Sequence, residues 1–440
     1  MNRAIPKHRF MRQEGMALAT SLILLVVLAA LALGGIKWAA QDISRTKDYT
    51  KSRKAVYLAE AGIHRAVSYF NYDGSGNSPG EVSNGFDDEV DGSNWPAGTF
   101  TNISLGGGTY TVTIADNNDN DGNTADDVDN TVVLTATGTA DGISKTIEVV
   151  LTRTLYKGNH AIATDGDLTV SGNPSVTGSS GSAHSNADLT LSGSPSISQS
   201  ATASGTYTAG GSPTVGGATA SGAPVESIPV PTISDYKSLS EYVLGADGVV
   251  RDGAGTTIHN TSTDDNFRTG VGPCGSHNKG WGYDAGPPVE WDLGDSCGFP
   301  GNYYIEGNVS ISGAGSAGSP FEITVIAEGH IVTSGGPELT NRKLASDPVE
   351  IQNIFMMAGT DIDMGGNPTN AIEGMIYAGE QIEFSGNPTI NGFVLAADAS
   401  ATDSRVTANL LSGNPNINYN GGGVAPFLSN KVTILSWQET

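Results

Sequence analysis

Between positions 116 and 130, Asn117, Asp119 and Asp121 alternate ahead of Gly122, and Asn123, Asp126 and Asp127 follow. Alternate residues of a tight loop turn their oxygens to one side, a glycine permits the reversal, and a later carboxylate closes the cage. That is how a loop collects the hard oxygen ligands that Ca²⁺ requires. Asp87, Glu89 and Asp91, ahead of Gly92, repeat the opening of the pattern. Neither stretch is a complete EF-hand, because Val128 stands where a bidentate Glu would close the first. Calcium binding is the chemistry expected here, and solvated Asn/Asp-rich turns share the same composition.

Other reactive types are sparse. Cys274 and Cys297 are the only cysteines. They are too few for a disulfide framework and lack zinc-site spacing, so one disulfide in an oxidising compartment is their expected use. Glycosidic cleavage needs carboxylates converging on a groove. The pair Asp264-Asp265, the fragment Gly329-His330 and the bases Arg342-Lys343 supply only adjacent charges, and His160, His184, His259, His277 and His330 are dispersed. No enzymatic activity is expected. The formal net charge of the 440 residues is −24, yet residues 1–65 hold 11 of the 22 basic residues against only Glu14, Asp42, Asp48 and Glu60. The remaining body is strongly acidic and repels phosphate backbones, which excludes nucleic acid as a partner.

The amino terminus sets the position of everything else. Arg3, Lys7, Arg9 and Arg12 precede an apolar run over 16–36. That run is long enough to cross a bilayer at ~1.5 Å per residue, and its cationic flank places the amino end in the cytoplasm. Apolar residues at mixed three- and four-residue spacings then extend the helix through 37–70. Gly15 stands where the basic leader meets the apolar run, so cleavage is expected ahead of the apolar segment.

The string Gln13-Glu14-Gly15 followed by Met16-Ala17-Leu18 resembles the prepilin leader of type IV pilins and type II secretion pseudopilins. The resemblance implies a membrane peptidase that cuts after Gly15 and methylates Met16; an uncleaved anchor helix is the alternative. Ala59-Glu60-Ala61-Gly62-Ile63 is similar to a stretch of PilX-type minor pilins, as are 130–134 and 145–149. Major pilins carry a Glu at the fifth residue after cleavage, and here that position is Thr20. A chain lacking this acid cannot neutralise the amine of a subunit docked above it, and an unpaired charge in an apolar core costs several kcal/mol. Thr20 therefore implies the distal tip, with a divergent shaft subunit as the alternative.

After the helix, 110–116 (YTVTIAD), 131–139 (TVVLTATGT) and 144–154 (SKTIEVVLTRT) alternate as half-buried antiparallel strands do. They are expected to pack on the carboxyl half of the helix. Further on, a polar-apolar-polar-apolar unit ending in a glycine turn recurs at 167–172, 188–193, 308–313, 361–366 and 381–386, and most such turns carry a Pro, as at Pro174, Pro195, Pro368, Pro388 and Pro415. Such short strands cannot bury a face alone, whereas stacked coils can, which predicts a parallel β-helix. An antiparallel β-sandwich is the alternative. Ser234 to Leu244 reads as a helix, and Trp281, Tyr283, Trp291, Tyr303 and Tyr304 could stack on sugar rings or cover the end of the solenoid.

The expected fold is thus α+β and pilin-like at the amino end, a long helix with a small antiparallel sheet, followed by an all-β parallel β-helix. The expected segments are a leader (1–15), a membrane or filament-core helix (16–36), its periplasmic continuation (37–70), a sheet with acidic loops (71–157), a β-helix (158–425, with an insertion at about 225–300) and a closing strand (426–440). The expected role is a minor type IV pilin that waits in the inner membrane, primes assembly and ends at the extracellular pilus tip. Its expected partners are other minor pilins, the major pilin, prepilin peptidase and a surface glycan or other cell-surface ligand for an adhesive β-helix. A K-type pseudopilin of a type II secretion system, or a membrane-anchored β-helix adhesin or polysaccharide-acting enzyme, are the alternatives.

Overall fold

The computed structural model describes residues 13–71, 85–92, 95, 97–117, 127, 129–261, 264–270, 272–344, 346, 348, 351–398, 402–403 and 405–439. Helix α1 runs over Gln13–Phe70, 58 residues without a break, or roughly 85 Å at ~1.5 Å per residue. Residues 16–50 are exposed on every side. From Ala55 onward one stripe is buried: Ala55, Leu58, Ala59, Ile63, Ala66 and Phe70. Their three- and four-residue spacing is that of a single helix face.

That stripe lies on an antiparallel sheet of β1 (Ile103–Leu105), β2 (Gly108–Asp116), β3 (Thr131–Ala140) and β4 (Ile143–Lys157), closed at one edge by the carboxyl-terminal strand Val424–Glu439. Strand β3 alternates strictly, sending Val132, Leu134, Ala136 and Ala140 into the core. Two glycines let helix and sheet approach this closely. A Cβ on Gly62 would stand 2.9 Å from Val112, and one on Gly138 only 2.0 Å from the Ala55 carbonyl oxygen.

The rest of the chain is a solenoid inserted between β4 and the carboxyl-terminal strand. It has three sheets whose stacked coils pair in parallel, and each coil contributes one short strand to a sheet. The recurring units of the sequence coincide with Leu168–Val170, Leu189–Leu191, Asn308–Ile311, Ile362–Met364 and Ile382–Phe384, all in one sheet. Parallel pairing therefore holds, and the sandwich does not.

The winding is permuted. The first coil (Ile162–Thr164, Leu168–Val170, Ser175–Thr177) pairs on one side with the second. On its other side it pairs with the last coil (Val394–Ala396, Asn409–Leu411, Asn416–Asn418). The chain enters at mid-stack, winds outward to Thr219–Ala220, returns to the opposite end, and winds back to close against its own first turn. Entry and exit are thus neighbours, and β4 pairs with the carboxyl-terminal strand beneath them.

The return segment holds a 3-10 helix, Ile233–Leu239, and then the strand Tyr242–Leu244. The helix expected across Ser234 to Leu244 is therefore cut short, because Tyr242, Val243 and Leu244 are drawn into parallel pairing with Tyr303, Tyr304 and Ile305. At this end the antiparallel pair Trp281–Asp284 and Glu290–Leu293 caps the stack. Trp281, Trp291, Tyr303 and Tyr304 are fully buried, so they cover the solenoid end and do not face a ligand. Cys274 and Cys297 are joined by a disulfide, with their Cα atoms 5.3 Å apart.

Candidate functional site

The half of α1 that touches nothing is the most distinctive surface of the molecule. Met16, Leu18, Leu25, Leu31 and Leu33 are each at least two-thirds exposed. A contiguous apolar surface of this size marks a membrane or protein contact. It is also the one helix among the described residues that is long and apolar enough to cross a membrane.

At its start the Thr20 hydroxyl donates back to the carbonyl oxygens of Met16 (2.9 Å) and Ala17 (3.0 Å), and Ser21 does the same to Leu18 (2.9 Å). These hydroxyls are satisfied within their own helix and carry no charge to offer a neighbour. The Gly15–Met16 bond lies inside the helical stretch, while residues 1–12 lie outside the described residues.

The two acidic stretches come together below the far end of the rod. The Asp127 backbone N–H donates to Asp87 Oδ1 (2.6 Å), and the Asp127 carboxylate accepts from the backbone N–H groups of Phe86 (3.2 Å) and Thr131 (2.9 Å). Burial pushes the Asp127 carboxyl up to about 6. Glu89 is also buried, and Asp91 is exposed. Asn117 donates to Asp129 (3.0 Å). Asp87 and Asp127 are thus engaged with backbone, and no group of three or more His, Cys, Asp or Glu able to hold a metal occurs among the described residues. Asp119, Asp121, Asn123 and Asp126 lie outside the described residues.

Arg153, which no motif singled out, organises this region. It is only 3 % exposed. Nη2 donates to the Phe70 carbonyl at the end of α1 (3.1 Å), and Nη1 to those of Ser429 and Asn430 (3.4 Å each). Its guanidinium carbon lies 4.9 Å from the Phe86 ring centre. Burial lowers its pKa to about 10, against the opposing pull of Glu89 and Asp127, so it stays charged at neutral pH. The signal was available in the alternation: Arg153 continues the inward register of Ile147, Val149 and Leu151.

Several charged residues that the sequence singled out are paired separately. Asp265 is bonded to Arg268 and His277, Arg342 to Glu241 at 3.0 Å, and His330 to Asp403 at 2.7 Å. His160 and His184 stack 5.1 Å apart. His160 faces Glu226 of the return segment at 3.5 Å, and Asn186 donates to the Glu226 carbonyl at 2.6 Å. Hydrogen bonding from His160 holds the Glu226 carboxyl down at about 2 despite partial burial.

No protein-family model matches the chain, and no curated protein matches it. Among solved structures, the competence-associated pilin ComZ from Thermus thermophilus is similar at 13 % identity, over 89 % of this chain and 98 % of that one, with a TM-score of 0.27. At that score the two chains do not superpose as wholes.

Proposed function

We propose that the chain is a minor pilin, processed between Gly15 and Met16, that occupies the distal tip of a type IV filament and carries the solenoid outward. The observation behind this reading is the division of α1. Its amino half has an apolar surface that needs a membrane or a bundle of like helices, its carboxyl half is packed on an antiparallel sheet, and the position where the family carries a carboxylate holds Thr20. Before assembly the same apolar half anchors the chain in the inner membrane. The partners are other minor pilins and the major pilin, and catalysis has no part in the role.

Mass spectrometry of the chain from native membranes tests the processing step. A mature chain beginning at methylated Met16 is expected; a chain retaining Met1 overturns it. Deletion of the gene is expected to reduce fibre number. Normal fibres with lost protein export would instead assign the chain to a secretion pseudopilin. Calcium belongs to the reading at the 117–127 loop and at 87–91, and calorimetric titration of the full chain with Ca²⁺ that shows no heat removes both.

A further inference from the structure

A groove of about 470 Å³ runs along one corner of the solenoid, where the sheet of Ile372–Glu373, Thr389–Asn391 and Asn416–Asn418 turns into that of Met375–Ala378 and Val394–Ala396, across the coils that carry Asn353, Glu373, Asn391 and Asn418. Glu373, Asn391 and Asn418 occupy equivalent positions on successive coils. Asn418 donates to Asn391 (3.2 Å) and Asn391 to Glu373 (2.7 Å). Each amide spends one donor on the ladder and keeps polar capacity for a ligand. Asn353, Glu373 and Asn420 are exposed, and Asn391 and Asn418 are half-buried.

The floor is kept low by necessity. A Cβ on Gly392 would lie 1.9 Å from the Gly374 carbonyl oxygen, so no side chain can rise there. One wall is the exit segment, fixed by the Tyr419 hydroxyl, which donates to the Gly158 carbonyl (2.8 Å) and accepts from the Gly423 N–H (3.0 Å).

We propose that this groove binds a neutral, linear, β-linked oligosaccharide lying parallel to the solenoid axis. Three physical features lead there. Rungs on consecutive coils repeat every ~4.8 Å, close to the advance of one sugar unit in an extended β-linked chain, so successive rings meet Glu373, Asn391 and Asn418 in turn. The amides offer both donors and acceptors, as sugar hydroxyls and acetamido groups require. The groove's own charges, Lys343 and Glu373, offset one another within a strongly acidic body, which disfavours uronic or sulfated chains. The inference gains its biological meaning from the outward display of the solenoid proposed above, but binding itself is a property of the single chain. Failure of the tip assignment would leave it standing, and failure here would leave the tip assignment standing.

Calorimetry on the full chain in detergent micelles tests it with two probes, N,N′,N″,N‴-tetraacetylchitotetraose and tetragalacturonate. Saturable binding of the first and weaker binding of the second are expected. No saturation by the first at millimolar concentration, or tighter binding of the second, overturns the proposal. Asn391→Ala is expected to weaken binding about tenfold or more, and Asn353→Ala, at an exposed rim position outside the ladder, to weaken it severalfold. Asn414→Ala, which removes an equivalent amide from the ladder of Asn387 and Asn173 at the other corner, is expected to leave affinity within twofold. Equal losses in Asn391→Ala and Asn414→Ala, or no loss in Asn353→Ala, contradict a direct contact.

Discussion

Arg153 satisfies three carbonyls drawn from two distant segments, the end of α1 and the carboxyl-terminal strand. Its removal leaves those carbonyls unpaired and strips buried Glu89 and Asp127 of their nearby positive charge. Arg153→Met is therefore expected to destabilise the helix-and-sheet part by about 3–5 kcal/mol, read as a lower denaturation midpoint. Asp127 titrates with a definite sign. Its folded pKa of about 6 lies above the ordinary 3.8, so between roughly pH 4 and 6 the folded chain holds a proton that the unfolded chain has released. Stability from this group rises as pH falls through that window and is lost above it. Denaturation curves between pH 4 and 7 should show this slope, and Asp127→Asn should flatten it. On the tip placement proposed above, Thr20→Glu supplies the countercharge the chain lacks and is expected to admit it into the fibre shaft.

At the scale of elements, α1 and strands β2 to β4 were legible because each buries one face and the residue spacing records it. Gly138 shows how close that packing is. Gly138→Ala drives a methyl group into the Ala55 carbonyl and is expected to cost at least 1–3 kcal/mol as overpacking, seen as loss of the cooperative unfolding transition or a marked fall in its midpoint. The return segment was less legible, since its conformation is set by long-range partners. Val243 and Leu244 are extended because a strand some sixty residues later accepts them. Asp87 and Asp127 have a ligand-like spacing, and only the fold reveals that they hold backbone N–H groups. Glu226 ties the return segment to His160. Its depressed pKa, about 2, adds stability above the ordinary 4.5 that is lost as pH falls through 2. Limited proteolysis is expected to cut the 224–232 stretch faster as pH drops from 4 toward 2, and Glu226→Gln should produce that susceptibility at neutral pH.

For the whole molecule, the solenoid repeat could be read from five similar segments, but the order of coils could not. Local similarity fixes what each turn looks like and says nothing about which turn stacks on which. The permuted closure brings entry and exit together, so the solenoid joins the helix-and-sheet part through two paired strands and projects as an insertion. On the proposed filament role, a chain this bulky suits an end better than a shaft. Immunogold electron microscopy with an antibody to the solenoid is the most direct test of that placement. One cluster of gold at a single end of each fibre is the expected image, spreading along the shaft in Thr20→Glu. Gold distributed along wild-type shafts, or confined to the cell envelope with bare fibre ends, would contradict it.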